Sequence, residues 1–116
     1  MNPSASLTAS LTATVDSVVT LTLKITNTAS TAATIDFASG QQYDFTIIDA
    51  VSGARVWCWS DGVAFAMVLG GRTVAANGSL AFTERWKPTQ KGSFVALGSL
   101  VSLSHRAEGK TMFTVL

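Results

Sequence analysis

Val19-Thr20-Leu21-Thr22-Leu23-Lys24-Ile25-Thr26 decides the fold class of this chain. Apolar residues fall at every second position, with polar residues between them. Side chains two apart share one face of a β-strand, so the stretch presents one apolar face and one Thr-rich face. Thr suits the wet face because its branched Cβ fits the pleat. Upstream, Leu7, Ala9, Leu11, Ala13 and Val15 alternate in the same way with Thr8, Ser10, Thr12 and Thr14, and Asp16-Ser17 predicts the turn between the two strands. Ser, Thr and Ala bury little area, so residues 7–13 are expected to form a loosely held edge strand.

Further along, residues 27–33 read as a loop and 34–37 as a short strand, broken by Ser39-Gly40-Gln41. Tyr43, Phe45 and Ile47 then alternate with Asp44, Thr46 and Ile48, and Val51-Ser52-Gly53-Ala54 joins residues 42–50 and 55–60 as a hairpin. In Val56-Trp57-Cys58-Trp59 neither parity is polar, which predicts a strand covered on both sides. Residues 63–69 are apolar throughout and read as a short helix or an irregular crossing, ended by Gly70-Gly71. A short strand over 72–75 follows. Asn77-Gly78-Ser79 fits a glycosylation sequon, but Asn-Gly reads first as a turn. Leu80, Phe82, Glu84 and Trp86 alternate with Ala81, Thr83 and Arg85 until Pro88 stops the strand. Residues 93–104 and 111–115 are the last strands, with the polar stretch 105–110 as their hairpin loop. About eight short strands and no long helix predict an all-β fold, an antiparallel two-sheet β-sandwich. It is expected to be a single domain over residues 1–116, with the first five or so as a flexible arm.

Composition narrows the function. Of 116 residues only 13% are charged, while Ala, Ser and Thr fill 44 positions. The 47% hydrophobic share is too high for a disordered tail. Eight basic and seven acidic residues leave a net charge of +1, which makes no electrostatic case for nucleic-acid binding. Cys58 is the only cysteine, so neither an intramolecular disulfide nor a Cys-based metal cluster is available. No apolar run approaches the roughly 20 residues of a membrane span. Met1-Asn2-Pro3-Ser4-Ala5-Ser6 lacks the basic and apolar regions of a signal peptide. Met1 stands either as a native start or in place of a removed leader, and both remain open.

No residues are expected to be catalytic, to hold a cofactor or to bind a metal. His105 is the only histidine, and no Gly-x-Ser-x-Gly elbow accompanies it. Cys58 lies mid-strand between two tryptophans, the setting of a buried, inert thiol. The acids Asp16, Asp36, Asp44, Asp49, Asp61, Glu84 and Glu108 are scattered, without the spacing of a Ca²⁺ loop. Among the aromatics, Phe45 and Trp86 are expected in the core, while Trp57 and Trp59 are open between core and an exposed platform. The uncharged run after Asp61 in residues 60–71 is expected to fold over the sandwich edge as a core plug, with a docking surface as the alternative.

Ser39-Gly40-Gln41-Gln42-Tyr43-Asp44-Phe45, followed by Asp49, Gly53, Val56-Trp57, Trp59-Ser60-Asp61-Gly62 and Phe65, resembles the BsuPI family of bacterial intracellular proteinase inhibitors. Phe37 matches the opening Phe of the family pattern, Asn27-Thr28 its strand ending, and Trp86, Gly92-Ser93-Phe94 and Gly98 its later part. Asn77 stands where members tend to have Pro. The resemblance spans residues 19 to 100. It implies an immunoglobulin-like β-sandwich, a cytoplasmic location and inhibition of a serine protease.

The first functional expectation is therefore an inhibitor that binds a protein partner, a serine protease, through a surface loop in residues 60–71 or 87–92. Phe65, Met67 or Leu69 would suit a chymotrypsin- or subtilisin-like pocket, and Lys87 or Lys91 a trypsin-like one. Trp57 and Trp59 complete the candidate contact residues. The alternatives are a noncatalytic immunoglobulin-like interaction or envelope module, exported with its leader removed, and a sandwich that binds carbohydrate on Trp57, Trp59 or Trp86. Asp44 and Asp49 flank one strand and are expected to anchor the adjacent loops.

Overall fold

Alternation along the first two strands places Leu7, Leu11, Val19, Leu21, Leu23 and Ile25 on one inner face. The computed structural model describes residues 7–116, so the expected N-terminal arm lies outside the described residues. Strands β1 (Leu7–Val15) and β2 (Val19–Asn27) form an antiparallel hairpin, with Leu7 opposite Asn27 and Val15 opposite Val19. The Asp16 carboxylate accepts from the Ser17 N–H at the turn. On the other side of β2 lies β7 (Ser79–Trp86), with Val19 opposite Trp86. Val19, Leu21, Leu23 and Ile25 are fully buried, whereas the Thr22 and Thr83 hydroxyls meet across the outer face at 3.2 Å.

The facing sheet has the order β5-β4-β8-β9, formed by β4 (Tyr43–Asp49), β5 (Arg55–Cys58), β8 (Gly92–Leu100) and β9 (Glu108–Val115). The hairpin of β4 and β5 forms as expected, with an irregularity between Ile47 and Ile48. Gly53, at φ 76°, occupies the left-handed region in its turn, where glycine carries no Cβ penalty. Phe45, Ile47, Phe94 and Ala96 point inward against the β2 side chains and share one core with them. Trp86 is buried, as expected, in edge-to-face contact with Phe94 at 5.4 Å and Phe113 at 6.2 Å. The result is an all-β, antiparallel, immunoglobulin-like sandwich.

Among the described residues the strands number nine rather than eight, and two of them form a separate two-stranded ribbon. In it β3 (Ala33–Phe37) pairs with β6 (Gly70–Val74), and Ala33, Ile35, Phe37 and Val74 extend the core. Asn27, the buried polar side chain among the described residues, ties this ribbon to the first sheet. Its Nδ2 donates to the carbonyls of Thr31 at 2.9 Å and Val74 at 3.1 Å, and its Oδ1 accepts from the Ala29 N–H at 3.0 Å. Burying an amide is tolerable only with such partners. Asn77, at φ 60°, and Gly78 form the expected turn, with the Gly78 N–H donating to the Ala75 carbonyl at 2.8 Å.

Three expectations need correction. Residues 105–110 are not all loop, because β9 starts at Glu108. Glu108 and Lys110 sit on the solvent face of a strand at the edge of its sheet, where charge carries no desolvation cost. Strand β1 is at a sheet edge but is not loosely held. Leu7 and Leu11 are buried, and Gly109 of β9 approaches so closely that a Cβ there would lie 2.9 Å from the Leu11 Cβ. Residues 63–69 take the irregular crossing of the two conformations expected, but they are not a core plug. They cross irregularly in the open, with Phe65 alone half-buried.

Candidate protein-binding loop

Residues 63–69 hang between two anchored ends, and the first anchor begins at Asp44. Its carboxylate accepts hydrogen bonds from the Phe45 N–H at 2.9 Å, the Ser60 N–H at 3.1 Å and the Ser60 hydroxyl at 2.6 Å. The Cys58 thiol, itself buried, donates to the same carboxylate at 3.5 Å. One side chain thus fixes the end of β5 against the start of β4. Beyond it the Asp61 N–H donates to the Cys58 carbonyl and the Val63 N–H to the Ser60 carbonyl, closing a tight turn. Gly62 takes φ 79° there. Arg55 and Asp61 pair on the surface at 2.9 Å, a solvated contact that adds little stability. The expectation that Asp44 and Asp49 anchor loops holds: the Asp49 carboxylate accepts from the N–H groups of Val51 at 2.8 Å and Ser52 at 3.0 Å.

Aromatic packing adds a second support. The Tyr43 ring lies between Trp59, at 4.5 Å, and Phe82, at 4.6 Å, stacked on both. Phe65 meets Trp59 edge-on at 5.6 Å. The Tyr43 hydroxyl donates to Glu84, across the sandwich on β7. Burial first, and then the hydrogen bond and negative charge of Glu84, push the Tyr43 phenol up to about 12. At the far end of the row the Arg72 guanidinium lies 5.7 Å from the Phe82 ring centre and donates to Gln42 at 3.1 Å.

The chain past Phe65 is held twice more. The Ala66 carbonyl accepts from the Gly40 N–H at 2.8 Å, and Gly70 pairs with Phe37 as β6 begins. Between these points Met67, Val68 and Leu69 are 87%, 64% and 76% exposed. Three apolar side chains in water are therefore displayed on a segment whose two ends are fixed to the sandwich.

Of the sequence-predicted residues, Trp59, Phe65, Met67 and Leu69 come together here. Trp57 is half-buried opposite Ile47 and packs against the core. Lys87 and Lys91 are exposed but lie at the opposite end of the sandwich. The register shows why: Tyr43 pairs with Leu100 at one end, whereas Trp86 pairs with Val19 and Gly92 with Val115 at the other. Trp86 is buried, and Trp59 is half-buried with one face against Tyr43. The braces Tyr43, Gly40 and Arg72 escaped the site prediction. The run from Ser39 to Phe45 carried a signal for two of them, since it pairs a turn with an aromatic at a strand start.

The His105 ring accepts from or donates to the Ser104 hydroxyl at 2.9 Å, but among the described residues its hydrogen bonds reach no carboxylate. Among the described residues no group of three or more His, Cys, Asp or Glu could hold a metal ion. No described helix is long and apolar enough to cross a membrane.

Comparison with known proteins bears on the fold and the family. Two solved structures of the CARDB domain of the PF1109 protein from Pyrococcus furiosus share the fold. The crystal structure, in complex with di-metal ions, is 14% identical with a TM-score of 0.50, and the match covers 95% of this chain and 87% of that one. The solution NMR structure is 12% identical with a TM-score of 0.51, covering 96% and 94%. At these identities the likeness is one of fold alone. No curated protein matches the chain. A family model described as intracellular proteinase inhibitor, BsuPI, matches residues 7–105, nearly the whole sandwich and all of the displayed loop. The chain therefore belongs to the BsuPI family, a family of protein-binding proteinase inhibitors rather than enzymes.

Proposed function

We propose that this protein inhibits a serine protease by presenting Met67, Val68 and Leu69 to the protease cleft. The observation that carries the reading is the exposure of these three apolar residues between fixed points at Ala66 and Gly70. A loop whose backbone is held in shape before binding loses less freedom on binding. Packing and hydrogen bonds supply this bracing in a chain with one cysteine. Phe65 braces the loop against Trp59 and does not enter the protease. Met67 and Leu69 are unbranched at Cβ and uncharged, which suits an apolar pocket of subtilisin or chymotrypsin type. Lys87 and Lys91, at the other end, take no part. The family description supports action in the cytoplasm.

Titration of a subtilisin-like and a trypsin-like protease with the purified protein tests this. Inhibition of the subtilisin-like enzyme, lost in Met67→Asp and kept in the Lys87→Ala/Lys91→Ala double variant, is the expected result. Cleavage of the protein as an ordinary substrate, or inhibition that depends on Lys87 or Lys91, would refute it.

A further inference from the structure

We infer that Met67 is an oxidation site whose conversion to the sulfoxide switches inhibition off. The inference rests on the reading of residues 67–69 as the protease contact and adds its regulation. Of the chain's three methionines, Met1 lies outside the described residues, and Met112, also exposed, sits on β9, at the edge of its sheet opposite β5 and away from the displayed segment. Met67 is the most exposed large apolar side chain of the displayed segment, so its thioether is open to a dissolved peroxide. Its neighbours Val68 and Leu69 carry nothing that a peroxide oxidises. Cys58, the other sulfur nearby, is buried against Asp44. The chemistry of the loop thus converges on one atom.

The step balances with hydrogen peroxide as the oxidant. A lone pair of the Met67 Sδ attacks one peroxide oxygen and the O–O bond breaks. The sulfur loses two electrons and keeps that oxygen, and the second oxygen leaves as water after proton transfer. The product replaces a flexible apolar side chain with a polar, chiral one. On the free protein the change is harmless, because Met67 is in water and contributes nothing to the core. Inside an apolar pocket the sulfoxide oxygen has no donor, and burying an unpaired polar group is costly. Free inhibitor therefore keeps its fold while its affinity falls. Sulfoxide reduction restores the thioether, so the device is reversible.

The test compares the inhibition constant against a subtilisin-like protease before and after mild hydrogen peroxide treatment, with peptide mass mapping to locate added oxygen. The expected result is a rise of about ten- to a hundredfold that tracks oxygen on Met67 and is reversed by methionine sulfoxide reductases. Met67→Leu, whatever its own inhibition constant, should show the same constant before and after peroxide, whereas Met112→Leu should stay sensitive. Equal inhibition by the Met67-oxidised protein, or the same peroxide sensitivity in Met67→Leu, overturns the switch while the contact reading stands. Failure of the untreated protein to inhibit overturns both.

Discussion

Replacing Asp44 should loosen the loop and destabilise the fold together. In Asp44→Ala the carboxylate that accepts from Phe45 N–H, Ser60 N–H and the Ser60 hydroxyl is lost. Hydrogen bonds to a charged group are worth about 1.5–3 kcal/mol each when water is excluded. Asp44 is only half-buried, so water replaces part of each bond, and the lost contacts sum to about 2–3 kcal/mol. With a urea m-value of about 1.5 kcal/mol/M, the unfolding midpoint should fall by roughly 1–2 M. Asp44→Asn keeps one oxygen for the two N–H donors and turns an amide toward Ser60, whose hydroxyl can rotate to accept. Its loss should be about 1 kcal/mol or less. The assay is urea unfolding of the three proteins, followed by tryptophan fluorescence. The inhibition constant should weaken in the same order, because Ser60 leads into the displayed segment. An unchanged midpoint in Asp44→Ala, or Asn and Ala behaving alike, would show that this carboxylate does not clamp β5 to β4.

Other consequences are equally open to measurement. The chain has one tyrosine, so an ultraviolet titration reports Tyr43 alone, with a midpoint expected at about 12. Glu84→Gln should lower that midpoint but leave it above 10.0, since burial is the largest cause; no change on substitution contradicts the Tyr43–Glu84 contact. The backbone N–H of Ser52, and then that of Val51, hold the Asp49 carboxyl below its ordinary 3.8. The folded pKa being the lower one, the turn's contribution is complete above that value and disappears as pH falls through the folded pKa. The stability gap between wild type and Asp49→Asn should therefore close in acid, and a gap constant with pH would count against the turn geometry. Gly109→Ala places a Cβ 3.0 Å from the Leu11 backbone nitrogen and should cost about 1–3 kcal/mol in urea unfolding. Gly70→Ala, with nothing within 4 Å, should stay within roughly 0.5 kcal/mol of wild type.

How far the sequence foretold this molecule depended on whether a feature was local. The β1–β2 hairpin was legible because Thr alternates with Leu, Val and Ile and the register follows from the turn. The β4–β5 hairpin was legible for the same reason, and the family motifs around Tyr43 and Trp59 carried the fold. The β3–β6 ribbon was not, because its pairing joins segments separated by two other strands. Glu108 and Lys110 were misread because charge suits both a loop and the wet face of an edge strand. The larger error was residues 63–69. An apolar run reads as buried, but burial is a tendency of residue types and not a rule for each segment. Here the Gly40–Ala66 hydrogen bond and the Phe37–Gly70 pair hold the run outside the core, and both contacts are long-range. That Lys87 and Lys91 stand at the other end of the sandwich from Met67 follows from the strand register, which is long-range.

Hydrogen exchange of the protein with and without a bound subtilisin-like protease tests the central claim most directly. Residues 66–70 should gain protection on complex formation, with residues 87–91 exchanging as in the free protein. Protection at 87–91 and none at 66–70 would contradict the account and move the contact to the opposite end of the sandwich.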